Sequence, residues 1–235
     1  LNEAERLLLR ALGVFAGGFA LDAAAAVAVG RLEVAVIQAT LHALVGKSLV
    51  HAETLPSGEH RFLLLETIRE FALEQMRAHS EEALWRERHY TAYLQLFRTG
   101  DSHIRGPEAI SWFARLAVEQ ENLRTAMQWT LDEARYTDAA WLVVAANGFW
   151  EQQGLQYDAG RWLAQLLPHR HTLATDLHLA IWIILNASSA QMPQAFQPVS
   201  RYNDEVFELL AGCADNLLQS VAWYMLAGSS ADFSE

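Results

Sequence analysis

Three groups of side chains have the types and spacing to do chemistry. In "PHRHTLATDLH", His169, His171 and His178 could share a metal ion through their imidazoles. Histidines at helix boundaries more commonly bond the last carbonyls or stay solvated, so no metal ligand is assigned. In "VEQENLR", Glu119 and Glu121 are a carboxylate pair of the kind used for acid/base work. Two apart on a helix they cannot face each other, and they read as a solvated face. Glu66, Glu70 and Glu74 form a four-spaced row with Arg69 and Arg77 alongside, which suits a helix edge open to solvent or to a docking partner.

The common catalytic signatures do not occur. No GxxxxGK[ST] phosphate loop is present, and the pair Gly17-Gly18 has neither a preceding strand nor a nearby Lys-Ser. Neither GxSxG nor HExxH appears. The expectation is a chain that is not an enzyme, has no catalytic residue and no cofactor, and does not bind a nucleotide alone.

Composition narrows the partners. An apolar share of 52% in 235 residues supplies a core for one large domain or two ordinary ones. A net charge of −11 works against an extended phosphate-binding face. The lone cysteine, Cys213, cannot form an internal disulfide, which suits the cytoplasm. The most apolar run, "LHLAIWIIL" at 177–185, falls short of the roughly 20 residues of a membrane-spanning helix and reads as a buried helix. The opening "LNEAERLLLRAL" lacks the basic start of a signal peptide and reads as cut from a longer protein.

These residues need elements to hold them. Leu8, Leu9, Leu12 and Phe15 recur at helical spacing in 1–15, with Gly17-Gly18 as the expected C-terminal cap. "LDAAAAVAV" predicts a short second helix, and Val34, Ile37, Leu41, Leu44 and Val45 line a third over 33–45. "KSLVHAE" and "HRFLLLE" predict two strands joined through Pro56, Ser57 and Gly58. A helix over 67–79 follows, expected to turn Ile68, Phe71, Ala72 and Met76 inward. Three helices, a hairpin and a closing helix make a winged helix over residues 1–80. In a DNA reader the third helix would carry polar and basic side chains, but past Glu33 this one offers only Gln38, Thr40 and His42 before Lys47. The hairpin adds one base, Arg61, and two histidines, so the wing is expected to meet protein, with DNA an unfavoured partner.

From residue 81 to 235 the pattern is helical. "WLVVAANGFWEQQGLQYDAGRWLAQLLP" has the layout of a tetratricopeptide-like hairpin, with an aromatic helix, a glycine turn and a closing proline. Trp85, Trp112, Trp129, Trp141, Trp150, Trp162, Trp182 and Trp223 recur about once per helix and are expected to pack between neighbours. The fold class is therefore mainly α: a winged helix with a small β-hairpin, then a tetratricopeptide-like repeat array truncated at its C-terminus.

The phrases "LLLRALGVFAGGFALDAA", "LHALVGKSLVHAE", "RFLLLETIREFALEQM", "ENLRTAMQWTL" and "FWEQQGLQYDAGRWLAQLL" occur in an order that resembles the region after the nucleotide-binding domain in bacterial signal-transduction ATPases with numerous domains. These include transcriptional regulators with LuxR-type or antibiotic-regulator-type DNA-binding ends. The resemblance implies a non-catalytic regulatory fragment that couples a helical sensor array to a nucleotide-binding domain of the full-length protein. The array would take a protein or small-molecule inducer, and no membrane is involved. The resemblance also implies a regulatory junction at Leu64, Leu65 and Glu66, where relatives carry a Met-His-Asp signature whose histidine touches ADP. A leucine at the histidine position points to mechanical coupling, with Leu65 packed and Glu66 favouring the helix start. Two alternatives stand beside this reading: a winged-helix DNA-binding regulator, and a helical enzyme or ligand-binding protein, which would need a cleft of convergent polar groups.

Overall fold

A computed structural model describes residues 1–55, 58–189 and 203–231. The expected turn residues Pro56 and Ser57, and the parts of the array at 190–202 and 232–235, lie outside the described residues. The chain forms two compact units, one of residues 1–96 with 111–129, the other of 97–110 with the described residues from 130 onward.

The first unit starts with α1 (Glu3–Leu12). Asn2 Oδ1 accepts from the Glu5 N–H at 2.8 Å and Glu5 Oε2 accepts from the Asn2 N–H at 2.9 Å, a reciprocal cap on the first turn. Leu8, Leu9, Ala11 and Leu12 are buried. The helix ends at Gly13, in right-handed geometry, and not at the glycine pair. Gly17 and Gly18 instead have φ of 70° and 91°, a left-handed turn open to glycine, and they lead into β1 (Phe19–Ala20). Then come α2 (Leu21–Ala28), α3 (Val34–Gly46), β2 (His51–Thr54), β3 (His60–Leu63) and α4 (Glu66–Ala78).

The expected hairpin is the pair β2 and β3, with His51 opposite Leu63 and Thr54 opposite His60. A third strand joins it: β1 pairs antiparallel with β3, Phe19 opposite Phe62, giving the order β1-β3-β2. Two residues are too few to show a period of two, so this strand left no alternation in the sequence. On α4, Ala72 and Met76 are buried as expected and Ile68 is half-buried, but Phe71 is 48% exposed. The buried stripe follows the four-residue spacing 68, 72, 76, and Phe71 lies about 100° away around the helix.

The first unit is completed by the start of α5 (Glu82–His103), most of α6 (Ala109–Ala117) and most of α7 (Gln120–Asp132), so residues 1–80 pack inside a larger body. The helical pattern is interrupted at Val118-Glu119, between α6 and α7. There the Val118 carbonyl accepts from Arg61 Nη2 at 2.6 Å.

The second unit is a helical array. It contains α8 (Tyr136–Gln153), α9 (Gln156–Leu166), a 3-10 turn (Leu167–Thr172), α10 (Thr175–Ser189), α11 (Asn203–Gly212) and α12 (Asn216–Ala231). Gly154 (φ 69°) ends α8 as a left-handed cap, as the glycine turn in the sequence predicts. α8 packs on α9 and α10, and α10 on α11 and α12. The segment 203–226 divides at Asp215, whose Oδ1 accepts the Leu217 and Leu218 N–H groups and starts α12.

Of the eight tryptophans, Trp85, Trp150, Trp162 and Trp182 are buried, whereas Trp141 and Trp223 are 38% and 52% exposed. The apolar run 177–185 is part of α10, with Leu177, Leu179, Ile181, Trp182 and Leu185 buried. Among the described residues, no helix is long and apolar enough to cross a membrane.

Candidate functional site

The surface by which a winged helix reads a partner is the outer face of α3 with the wing. Ile37, Leu41 and Leu44 turn inward and fix α3 by burial. The face left outside is Val34, Ala35, Val36, Gln38, Ala39 and His42. Val34 is 56% exposed, and this face carries no lysine or arginine. The wing shows His51, Ala52, Glu53, Thr54, Glu59 and His60 to solvent.

Most nearby bases are engaged inside the unit. Lys47, just past α3, pairs with Glu5. Arg10 donates to Glu81 at 2.7 Å, with Arg31 on the same carboxylate. Arg69 pairs with Glu66, and both Arg77 and Arg86 with Glu82. Arg88 donates to the Val27 and Val29 carbonyls, and Arg6 is exposed on α1. Glu81 sits below the ordinary carboxylate range: desolvation raises it, but hydrogen bonds from Arg10 and Trp85 and the charges of Arg10 and Arg31 outweigh that.

Arg61 is the largest departure from the sequence reading. It was expected as the hairpin's one exposed base, yet it is 4% exposed and lies at the centre of a buried polar cluster. Its Nη1 donates to Glu119 Oε1 at 2.6 Å, and its Nη2 to the Gly18 carbonyl at 3.0 Å and the Val118 carbonyl at 2.6 Å. Glu119, expected on a solvated face, is likewise 4% exposed. Its Oε2 accepts from the Tyr93 hydroxyl at 2.7 Å and from Asn122 Nδ2 at 2.8 Å. Asn122 also donates to the Gly18 carbonyl and accepts from the Ala16 N–H, both within 2.8 Å. A buried charge is tolerated only when paired and hydrogen-bonded, and here both partners are.

The cluster joins the wing strand, the glycine turn, α5 and α7. The turn needs glycine for a second reason: a Cβ on Gly18 would fall 2.9 Å from the Phe62 carbonyl oxygen and 3.1 Å from Arg61 Nε. His89 borders the cluster, its ring 5.3 Å from Phe15 and 4.6 Å from Tyr93, with Nε2 3.4 Å from Asn122 Oδ1. Burial lowers its pKa to about 3, so it is neutral. Burial and the Glu119 charge raise Tyr93 well above its ordinary value. Helical spacing could have signalled Tyr93, which falls one turn after His89, but nothing local couples Arg61 to residues almost sixty positions on.

The expected junction lies at the start of α4. Leu65 is the N-cap residue and is 64% exposed, so it is not packed. Leu64 is half-buried. Glu66 is the first helical residue, where its charge favours the N-terminus, and Arg69 Nε lies 3.4 Å from its Oε2.

The three histidines do not converge. His169 stacks on Tyr136 at 3.7 Å, while His171 and His178 each lie 3.3 Å from Glu205 Oε1, a carboxylate that Arg170 also holds. Among the described residues, no group of three or more histidine, cysteine or carboxylate side chains could hold a metal ion.

Residues 1–77 match the winged helix-turn-helix domain family. The chain is 35% identical over 184 residues to proteins of Mycobacterium bovis and of two Mycobacterium tuberculosis strains, each named as an HTH-type transcriptional regulator. The match covers 75% of this chain and 20% of each relative, so the chain spans about a fifth of the length of the curated relatives it matches. No solved structure matches. The family match and the three-stranded sheet among helices agree: the chain carries a winged-helix domain at its N-terminus, and a helical array follows.

Proposed function

We propose that this chain is a non-catalytic segment of a transcriptional regulator, in which the winged helix supplies a binding surface and the helical array takes a signal. The regulatory half of this reading rests on the names of the relatives. Those names, with the family match, favour a winged helix that contacts DNA directly over a relay tied to an ATPase, because both name a helix-turn-helix.

The mode of binding rests on one observation: the outer face of α3 is mostly apolar, with Gln38 and His42 its polar groups and no lysine or arginine. Contact with a duplex draws most of its affinity from neutralised phosphates, and most of the nearby bases would first have to leave Glu5, Glu66, Glu81, Glu82 and Glu119. An apolar strip fits a protein surface, and the occupant on that reading is another domain of the same regulator.

Duplex DNA titrated with this chain at several salt concentrations separates the two modes. Docking to protein predicts weak binding whose dependence on salt corresponds to fewer than about three phosphate contacts. Micromolar or tighter binding with a steep salt slope would transfer the function to direct DNA contact.

A further inference from the structure

Phe71 is the aromatic ring that α4 leaves outside the core. The helix packs on α1 with Ala72 and Met76 buried. The approach is close: a Cβ on Gly13, at the end of α1, would fall 3.0 Å from the Ala72 Cβ. That contact fixes the rotation of α4, and its other side, with Glu66, Glu70, Phe71 and Glu74, is exposed. Phe71 lies about 60° around the helix from Glu74, so ring and carboxylates share one face. An aromatic side chain bordered by charged groups has the composition of an interface anchor with a polar rim.

The charges say what covers the ring. Glu66, Glu70 and Glu74 recur every four residues, and the row runs about 12 Å along the axis. Arg69 Nε lies 3.4 Å from Glu66, and Arg77 is turned to Glu82 at 3.1 Å. Among the described residues, no basic side chain pairs with Glu70 or Glu74. The row repels a duplex and an anionic membrane, and it repels the same face of a second copy. It attracts a basic segment, and lysines or arginines four apart on a helix repeat at the spacing of the row.

We propose that this face of α4 docks a basic amphipathic helix of a protein partner. An apolar side chain of that helix rests on Phe71, and its lysines or arginines lie along Glu66, Glu70 and Glu74. The surface uses no residue of α3, so the inference stands whatever the outer face of α3 binds.

The probe is a fluorescein-labelled, alanine-based peptide of roughly 16 residues, long enough to be helical, with lysines at four-residue spacing beside a stripe of leucines. The whole chain is titrated into it at low and at physiological salt, and anisotropy is read. The expected result is saturable binding that Phe71→Ser weakens about tenfold, and Glu70→Gln with Glu74→Gln about fivefold. The same change at Glu133 and Glu151, exposed acids elsewhere in the chain, should leave the affinity unchanged. A peptide with alanine for leucine should bind more weakly, and one with glutamate for lysine should not bind. Circular dichroism checks that each variant is folded, and the glutamate pair carries the test if Phe71→Ser is not. Absence of binding, indifference to both α4 changes, or equal loss from the Glu133 and Glu151 changes would each overturn the proposal, the last by showing a general attraction to the net charge of −11. Self-association of the chain that Phe71→Ser abolishes would also overturn it, by making a second copy the occupant.

Discussion

Arg61 and Glu119 show how much one buried pair decides. Removing either charge leaves the other buried without its partner, so Arg61→Met and Glu119→Gln should each lower stability by roughly 3–5 kcal/mol in denaturant unfolding. Arg61→Met with Glu119→Leu should cost clearly less than the sum of the single changes, because no charge is then stranded; additive costs would show the pair to be uncoupled. His89 gives a second residue-scale expectation. Its pKa falls from 6.5 in the open chain to about 3 in the fold, so the unfolded state takes up the proton first as pH drops. Stability is therefore unaffected by this group above pH 6.5 and declines between 6.5 and about 3, at up to about 1.4 kcal/mol per pH unit. His89→Phe should flatten that part of the pH–stability curve; an unchanged slope would place the acid sensitivity elsewhere.

At the scale of elements, α3 and α4 present apolar groups that the fold does not cover. Val34 on α3 and Phe71 on α4 are each about half exposed, and Leu65 more so. If α3 docks on protein, Val34→Asp in the full-length regulator should change its response to signal while the melting temperature moves by no more than a few degrees, since no buried contact is lost. A parental response would remove α3 from the interface. The exposure of Leu65 also changes what the junction can do: a charge there meets solvent, so its effect on folding should be small, and any effect on regulation would report a partner. In the array, Trp150 and Trp162 lie within the packing of α8 and α9, and replacing either with alanine should cost roughly 3–5 kcal/mol. Trp141→Ala should cost much less, because that ring is 38% exposed. Similar losses at all three positions would argue against burial as the source of the difference.

At the scale of the whole molecule, the chain carries no phosphate-binding loop, and the purified chain should show no ATP turnover above that of a parallel preparation without it. Helices, their order and the hairpin were legible in the sequence because each depends on neighbours within a turn or two: the apolar spacing of α1 and α3, the glycine at the end of α8, the turn between β2 and β3. The identity of the winged helix followed from that order. The missed features depend on distant residues. β1 exists only because β3 offers it an edge, and the break between α6 and α7 coincides with Arg61 taking the Val118 carbonyl. Glu119 read as a solvated acid because its sequence neighbours are polar, and Arg61 as a wing base because it sits in a hairpin. Composition, periodicity and turn chemistry are local and are written in the chain; which charged side chains meet, and which are buried by meeting, is set by packing between segments far apart in sequence, and only the tertiary structure decided it.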